Sequence, residues 1–295
     1  MSDFVLSCAT TVDLPKEYLI KRNIDCLQFP YSVNGVQYID DLGESLSFDD
    51  FYDMLKAGAE THTAQQGIGG YIDHFRPYLA AGKDVLHISV SSGITGTNNP
   101  ANIAANMLKE EFPDRRLVIV DSLGASSGHG LIVDTLADMR DAGAGMDELY
   151  EWVEANKLKM HHWFFSTDLS YYVKGGRISK TEGFFGSMLN ICPLCNMDNE
   201  GRLIPREKIR TKKRVIKEIV DRMEQYAEGG LDYSGKCFIS NSGCLEDAQA
   251  VAALVEERFP KLDGKVWINT IAPTVGCHTG PYTVALFFWG SERTE

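Results

Sequence analysis

The chain has 295 residues, with 29 Lys and Arg against 41 Asp and Glu, and therefore a formal net charge of −12. An apolar share of 44% and a charged share of 24% are typical of a globular protein and exclude a disordered chain. The acidic balance disfavours nucleic acid as a partner, because a phosphate backbone is bound by a basic face. The most apolar stretch, 283–290, is far shorter than the ~20 residues of a membrane-spanning helix, so no stable membrane insertion is expected. The first residues lack a basic segment followed by an apolar one, and we therefore expect a soluble, cytoplasmic protein.

Strand and helix patterns alternate through the first half of the chain. Short apolar strands are predicted at 4–7, 24–29, 84–89 and 117–120, and helices at 47–56, 100–112, 131–142 and 147–157. A further helix is expected to begin at Asp13-Leu14-Pro15, and Asn34-Gly35 predicts a hairpin. Because strands separated by helices form parallel β-α-β units, residues 1–159 are predicted to form an α/β domain with a doubly wound, mostly parallel sheet.

The pattern changes after about residue 159, where consecutive strands replace the alternation. Strands are predicted at 163–166, 192–197, 202–209, 236–241, 265–270 and 282–289, and helices at 211–227 and 245–259. Residues 160–295 are therefore predicted to form a second, α+β domain with a mixed or antiparallel sheet. The segment around 60–80 is assigned to the first domain, with packing against the second domain as the alternative.

The seven cysteines do not suggest a disulfide framework, because their number is odd. Cys192-Pro193-Leu194-Cys195 has the spacing of a redox or zinc motif. However, the pair lies in a predicted strand, and no second pair of ligands occurs at a similar spacing. A buried structural role is expected for these thiols, and a redox protein with a reactive Cys192 or Cys195 is the alternative.

Four polar, glycine-containing loops contain the candidate binding residues, and they are 7–11, 61–66, 89–97 and 276–281. The first and third directly follow predicted strands, and ligands of an open α/β sheet bind beyond the carboxyl ends of its strands. The third loop supplies hydroxyls and backbone amides before a helix, which suits an anion or a carboxylate, although N-capping explains the same residues. His278, in the fourth loop, could donate a hydrogen bond to a carboxylate, with a structural role as the alternative.

Motifs for nucleotide, metal and hydrolytic chemistry are incomplete. Residues 175–181 resemble a P-loop but have Ser179 where the motif requires glycine, and 67–70 lacks the glycine spacing of a dinucleotide turn. A hydrolase or acyltransferase using Ser92 and His278 remains an alternative, although no residue is nominated as the orienting acid. Neither a cofactor nor a metal is therefore expected.

Taken in order, the polar loops and other short motifs resemble the DegV family, and the resemblance covers nearly the whole chain. The matching motifs are Thr10-Thr11-Val12-Asp13-Leu14-Pro15, Thr63-Ala64-Gln65, Ser91-Ser92-Gly93-Ile94-Thr95-Gly96-Thr97, Val120-Asp121-Ser122, Lys174-Gly175-Gly176-Arg177-Ile178, Asn190-Ile191-Cys192-Pro193-Leu194 and Gly276-Cys277-His278-Thr279-Gly280-Pro281. Each motif is weak alone, and their common order makes the resemblance specific.

The resemblance implies a fatty-acid-binding protein rather than an enzyme. It implies one long-chain fatty acid in an apolar tunnel between two domains, with the carboxylate bound by the following residues: Thr63, Ser92, Gly93 and His278. It also implies a partner, the catalytic subunit of a fatty acid kinase, which converts the presented carboxylate into an acyl phosphate for phospholipid synthesis. The lack of an ATP-binding loop is consistent with dependence on a separate kinase.

The resemblance also suggests residues for the tunnel and for the kinase. Arg177 is a candidate for contact with the developing phosphate or with the kinase. Arg206 and Arg210, in the basic segment 202–214, are candidate docking charges, with a solvated hairpin and helix face as the alternative. Several apolar side chains that follow Arg177 could line the acyl tunnel or belong to an ordinary core: Phe184, Phe185, Met188, Leu189 and Ile191.

The chain departs from the family pattern at positions near the expected head group. Cys8-Ala9 replaces a more polar pair, and Ala64 replaces a serine. Asp41 stands where a Tyr-x-Asp-Gly element has glycine, which leaves Asp40 as the matching acid. The first two changes remove hydroxyl or carboxylate groups, so they leave the identity of the bound head group open without affecting the predicted fold.

Overall fold

The computed structural model describes residues 4–179 and 191–294. The strands are β1 (Phe4–Ala9), β2 (Ile24–Leu27), β3 (Pro30–Val33), β4 (Val36–Ile39), β5 (Thr61–Thr63), β6 (Asp84–Ser89), β7 (Leu117–Asp121), β8 (Met160–Ser166), β9 (Ile191–Met197), β10 (Leu203–Arg210), β11 (Phe238–Asn241), β12 (Trp267–Thr270) and β13 (Thr283–Trp289). The helices are α1 (Lys16–Lys21), α2 (Phe48–Lys56), α3 (Ile68–Ala80), α4 (Asn98–Glu111), α5 (Ser126–Asp141), α6 (Met146–Asn156), α7 (Ser170–Lys174), α8 (Lys212–Tyr226), α9 (Leu245–Arg258) and α10 (Pro273–Thr279).

A parallel sheet is formed by the first half of the chain, in the strand order β2-β1-β6-β7. The central strands β1 and β6 are almost completely buried, as expected where helices cover both faces of a parallel sheet. The predicted parallel sheet is confirmed. Because all four strands run in the same direction, the loops that follow β1, β6 and β7 meet at one edge of the sheet.

A mixed six-stranded sheet is formed by the second half, in the order β10-β9-β8-β13-β11-β12. The strands β11 and β12 are parallel, and the other neighbours are antiparallel. The predicted hairpin of β9 and β10 is present, with a register shift between Pro205 and Glu207 that leaves Arg206 in a bulge. The predicted fold class, a parallel sheet followed by a mixed sheet, is therefore confirmed.

A third sheet, of order β4-β3-β5, contains one strand that the sequence does not predict. Asn34 and Gly35 have φ values of 49° and 81°, the two positive values that a tight type I′ hairpin turn requires, and the predicted hairpin is confirmed. The strand β5 pairs with β3 although the sequence predicts a polar loop there. A three-residue polar strand has no apolar alternation, so its pairing is visible only in the tertiary structure.

The helices differ from the prediction at four places, one of which is the short helix α7, where no helix is predicted. The helix α3 occupies a glycine-rich segment where no helix is predicted. The helix α5 begins at Ser126 rather than near residue 131, because close packing against neighbouring elements overrides the low helix propensity of Gly128 and Gly130. The helix α10 begins with Pro273 and includes His278, which the sequence places in a turn. None of the helices in the described ranges is both long and apolar enough to cross a membrane.

One hydrophobic core lies between the parallel sheet and the mixed sheet. It contains side chains from both halves of the chain, including Leu6, Val120, Leu136, Phe164 and Phe287. The helix α5 contributes most to this core, since most of its residues are buried. Burial of these side chains is the main force that holds the two sheets together.

The loop after β6 is attached to the β9–β10 hairpin, which connects the two larger sheets. Ser91 Oγ donates a hydrogen bond to the carbonyl oxygen of Gly201 at 2.8 Å. A side chain at Gly93 would collide with the carbonyl oxygens of Glu200 and Gly201. A side chain at Gly201, where φ is +72°, would collide with Ser91 Oγ. Both glycines are therefore required for this close approach.

The substitution Gly201→Ala should lower the free energy of unfolding more than Gly35→Ala does. Both residues have positive φ, which costs alanine about 1–2 kcal/mol, but the space around Gly35 is open. The collision with Ser91 should add about 1–3 kcal/mol at Gly201. Urea denaturation of the two variants measures the difference, and equal losses would contradict the close contact between the loop and the hairpin.

Candidate functional site

A cavity of about 800 Å³ lies between the loops of the parallel sheet and one face of the mixed sheet. Its apolar wall includes Phe164, Tyr172, Met197, Ala285 and Phe287. Polar side chains from β5, α7, α10 and the loop after β6 form much of the remaining wall. This size, with a mainly apolar lining and a few polar groups, is typical of a small-molecule site.

The strand register shows how far the cavity extends along the mixed sheet. Thr283, Ala285 and Phe287 alternate along β13 and line the cavity, and His162 of β8 lines it opposite Phe287. The next residue on this face, Trp289, is not among the described lining residues. The four residue steps from Thr283 to Phe287 span about 13 Å of extended strand, so the cavity extends over about this distance along β13 and has its far end on this strand at Phe287, opposite His162.

The polar end of the cavity is formed by Thr63 of β5 and His278 of α10. Thr63 Oγ1 lies 2.7 Å from His278 Nε2. The other ring nitrogen, Nδ1, is buried and has no hydrogen-bond partner among the described residues. The imidazole fits only because Gly175 has no side chain, since a Cβ at that position would collide with Nδ1. One nitrogen of the ring is thus bound to Thr63, and the other has no partner within the described ranges.

The imidazole of His278 is neutral at physiological pH. Burial lowers its pKa, and the positive charge of Arg177 lowers it further, to about 4. Arg177 Nη1 donates a hydrogen bond to the carbonyl oxygen of Gly175 at 2.6 Å, and burial lowers the pKa of the guanidinium. Lys174 also lines the cavity, with its ammonium 3.9 Å from the carboxylate of Glu60. Since Glu60 also lines the cavity and offsets the charge of Lys174, Arg177 is the cation beside the neutral histidine that favours an anionic group at this end.

The loop after β6 reaches the cavity at Val90 and again from Ile94 onwards. Thr95, Gly96 and Thr97 line the cavity. Ser92 and Gly93 are exposed and are not among the described lining residues, and their backbone N–H groups donate to acceptors within the protein. The structure therefore does not place Ser92 and Gly93 in the described lining, whereas Thr95 and Gly96 of the same motif line the cavity.

A family model described as an uncharacterised protein of the DegV family matches residues 8–290. The chain belongs to the DegV family. A DegV domain-containing protein of Clostridium perfringens is 33% identical over 293 residues, which are 99% of each chain. The solved structure of a DegV family protein from Thermus thermophilus, described as fatty-acid binding, has a TM-score of 0.86 and 23% identity, covering 97% of this chain and 99% of that one. The solved Streptococcus pneumoniae fatty acid kinase B3 protein, loaded with linoleic acid, has a TM-score of 0.83 and 20% identity, covering 99% and 100%. At these identities the two structures show a shared fold.

The three predicted basic residues of this DegV protein lie in different environments. Arg177 lines the cavity. Arg206 is half-buried in the bulge of β10, and its Nε donates a hydrogen bond to Asn196 Oδ1 at 2.7 Å. Arg210, at the end of the same strand, is exposed. Arg206 is thus tied to the sheet, whereas Arg210 is accessible to a partner.

The predicted tunnel residues lie largely beyond the described part of this DegV chain. Four of them are outside the described residues: Phe184, Phe185, Met188 and Leu189. The fifth, Ile191, begins β9, is half-buried beside Arg210, and is not among the described lining residues. The apolar lining that the structure shows includes side chains of β8, β13 and α7, and the alternation along 283–287 is the sequence signal that could have indicated the contribution of β13.

His162 is a cavity residue for which the sequence gives no functional signal. Its Nε2 accepts a hydrogen bond from the backbone N–H of Ala125 at 3.2 Å, and its Nδ1 donates one to the carbonyl oxygen of Met160 at 3.1 Å. Burial lowers the pKa of the imidazole well below its ordinary value. Because both nitrogens are bound to the backbone, the neutral ring is compatible with the apolar far end of the cavity.

The thiols of Cys192 and Cys195 are both buried in β9, in cores on opposite faces of the mixed sheet. Burial raises the pKa of both thiols, which disfavours the reactive thiolate form. Among the described residues, no group of three or more His, Cys, Asp or Glu side chains could hold a metal ion. The burial and the raised pKa of both thiols support the structural role expected for Cys192 and Cys195.

The imidazole of His278 should titrate near pH 4 in the native protein, far below the ordinary histidine pKa of about 6.5. Since folding depresses this pKa, protonation should begin to destabilise the protein as the pH falls below about 6.5. Arg177→Gln should raise the pKa by removing a like charge, whereas the matched control Lys174→Gln should change it little. Histidine NMR titration measures all three proteins, and a native midpoint near 6.5 would contradict the buried, neutral ring.

Proposed function

We propose that this DegV protein binds one long-chain fatty acid in the cavity, with the carboxylate at the polar end beside Thr63 and His278. The observation that carries the proposal is the combination, within one cavity, of an apolar wall and a polar end that contains Thr63, His278 and Arg177. The described functions of the two solved relatives, one fatty-acid binding and one loaded with linoleic acid, support the same ligand class.

The apolar wall supplies most of the affinity in this proposal. Burial of one methylene is worth about 0.8 kcal/mol, so a chain of a dozen methylenes gives on the order of 10 kcal/mol before the costs of ordering. The side chains of Phe164, Ala285 and Phe287 present a continuous apolar surface on β8 and β13 for such a chain. The polar end then has to fix only the orientation of the ligand.

The carboxylate has several donors within the polar end. The hydrogen-bonded pair of Thr63 and His278 can give the carboxylate one donor: the Thr63 hydroxyl if Nε2–H donates to Thr63, or Nδ1–H if the Thr63 hydroxyl donates to Nε2. The hydroxyl of Thr95 can supply a second donor. Gly96 exposes backbone close to the same wall. The resemblance implies that Ser92 and Gly93 bind the carboxylate. In this proposal they do not contact the fatty acid and contribute to the structure of the loop instead.

We further propose that the bound carboxylate is presented to the catalytic subunit of a fatty acid kinase in the cytoplasm, which forms an acyl phosphate for phospholipid synthesis. The protein is then a carrier without catalytic activity of its own. Arg177, which lines the cavity, is the proposed contact for the developing phosphate, because a guanidinium suits phosphate oxygens. Arg210 and the anchored Arg206 are proposed docking charges on an acidic protein.

The contacts of Ser92 and His278 do not favour the hydrolase alternative. The exposed Ser92 lies outside the described cavity lining, and the ring nitrogen Nε2 of His278 faces Thr63 instead. A nucleophile and its base have to lie within hydrogen-bond distance of each other.

His278→Ala and Thr63→Val should each weaken palmitate binding by about tenfold, because each breaks the hydrogen-bonded pair that donates to the carboxylate. Titration calorimetry with the delipidated protein measures the affinity. The control Ser92→Ala should bind palmitate as the wild type does. Organic extraction and mass spectrometry of the purified wild type should recover a long-chain fatty acid. Unchanged affinity in both site variants, or ester turnover that Ser92→Ala abolishes, would contradict the proposal.

Arg210→Glu should lower the rate of acyl phosphate formation by a fatty acid kinase catalytic subunit and ATP, with palmitate affinity unchanged. The reason is that a reversed charge at a docking surface slows encounter with the partner. Lys217→Glu, which makes the same charge change at an exposed position of α8, is the matched control. An equal effect of both variants would show that net charge, and not the proposed docking position, controls the rate.

A further inference from the structure

Two buried carboxylates hold the start of α10, the helix that carries His278. Asp13 Oδ1 accepts a hydrogen bond from the backbone N–H of Ala272 at 2.8 Å. Asp40 Oδ2 accepts one from the backbone N–H of Thr274 at 2.9 Å. Asp13 is 2% exposed and Asp40 is fully buried. Both acids belong to sequence motifs for which the proposed function gives no role.

The helix α2 adds a third contact to the same segment. Tyr52 is buried, and its hydroxyl donates a hydrogen bond to the carbonyl oxygen of Ile271 at 2.7 Å. Gly276 of α10 packs so closely against α2 that a side chain there would collide with the ring of Phe51 and the hydroxyl of Tyr52. The start of α10 is thus fixed by groups from three separate elements, all within the first 60 residues of the chain.

The backbone of Asp13 shows that its orientation is enforced by the surroundings. Its φ and ψ of 48° and 39° lie in the left-handed region, which is unfavourable for residues other than glycine. Its partner Ser126, which donates a hydrogen bond to Asp13 Oδ2, also has a positive φ of 54°. Such conformations persist where the surrounding structure over-determines them, and they are concentrated at functional sites.

Burial of the carboxylates of Asp13 and Asp40 is energetically unfavourable. Burial raises the pKa of both, the hydrogen bonds from their partners oppose this effect, and the charge of Asp40 raises the pKa of Asp13 further. Within the described part of the chain, neither forms a salt bridge with a cation. Apolar side chains of similar size would leave the N–H groups of Ala272 and Thr274 without these acceptors, so the acids act on this segment through hydrogen bonds and not through packing alone.

We propose that Asp13 and Asp40 are positioning residues of the carboxylate site, which fix the start of α10 and thereby hold His278 at hydrogen-bond distance from Thr63. The helix has seven residues, about two turns, so a displacement of its start moves its end as well. The consequence for ligand binding rests on the proposed function, whereas the consequence for the geometry of His278 does not.

The test compares Asp40→Ala and Asp40→Asn with the wild type, using two measurements. The first is the NMR spectrum and titration of the His278 imidazole without ligand, and the second is palmitate affinity. Asp40→Ala should shift the His278 resonances, move the pKa of the ring towards its ordinary value, and weaken palmitate binding by about tenfold. Asp40→Asn keeps one acceptor oxygen for Thr274 and should give intermediate values.

Asp134→Asn is the matched control, because Asp134 is equally buried but bonds to Tyr18 and Lys236, away from α10. It should lower the Tm without changing the His278 resonances or the palmitate affinity. Tyr52→Phe removes a single hydroxyl from the same segment of α10 and provides a milder variant if Asp40→Ala does not fold.

The proposal is overturned if Asp40→Asn and Tyr52→Phe lower the Tm but leave the His278 resonances and the palmitate affinity as in the wild type. If the wild type binds no palmitate, the proposed function fails, and the resonances alone still decide whether the acids position the histidine. Equal resonance shifts in Asp134→Asn would likewise overturn the proposal, because they would show a general effect of lost stability.

Discussion

The hydrogen bond between Thr63 and His278 joins two segments that lie 215 residues apart in the sequence, and the polar end of the cavity depends on it. For this bond to form, β5 has to pair with β3, and α10 has to be held at its start by groups from the first part of the chain. The glycine at position 175 has to leave space for the ring. Burial then keeps the imidazole neutral, so that it acts as a hydrogen-bond donor or acceptor without carrying charge.

The cavity offers a ligand two kinds of interaction, burial against an apolar wall and hydrogen bonds at a polar end. Its apolar wall on β8 and β13 can supply affinity that increases with the length of the buried acyl chain. This hydrophobic contribution does not fix the orientation of the ligand. Its polar end can supply direction, because hydrogen bonds to a carboxylate require defined positions. The far end is closed by Phe287 and by His162, whose ring nitrogens are both bound to the backbone. A carrier that protects an acyl chain and exposes its head group to a second protein needs this division.

The DegV motifs identify the loops that surround the cavity. They identify less reliably which residues of each loop line it. The loop after β6 contains two hydroxyl-glycine pairs, Ser92-Gly93 and Thr95-Gly96, and the sequence offers no criterion for choosing between them. The choice is made by the contact of Gly93 with the β9–β10 hairpin, which turns the first pair away from the cavity and the second towards it. Similarly, His278 was expected in a turn because its glycine neighbours suggest one, whereas Pro273 begins a short helix that includes it.

The sequence by itself determined the parallel sheet of the first half, the hairpin at Asn34-Gly35 and membership of the DegV family. These features follow from periodicity, turn chemistry and short motifs, which are properties of residues close together in the chain. Only the tertiary structure decided the pairing of β5, the anchoring of α10 by Asp13 and Asp40, and the place of His162 at the far end of the cavity. Each of these depends on contacts between distant segments, and such contacts form only when the hydrophobic core brings the two sheets together.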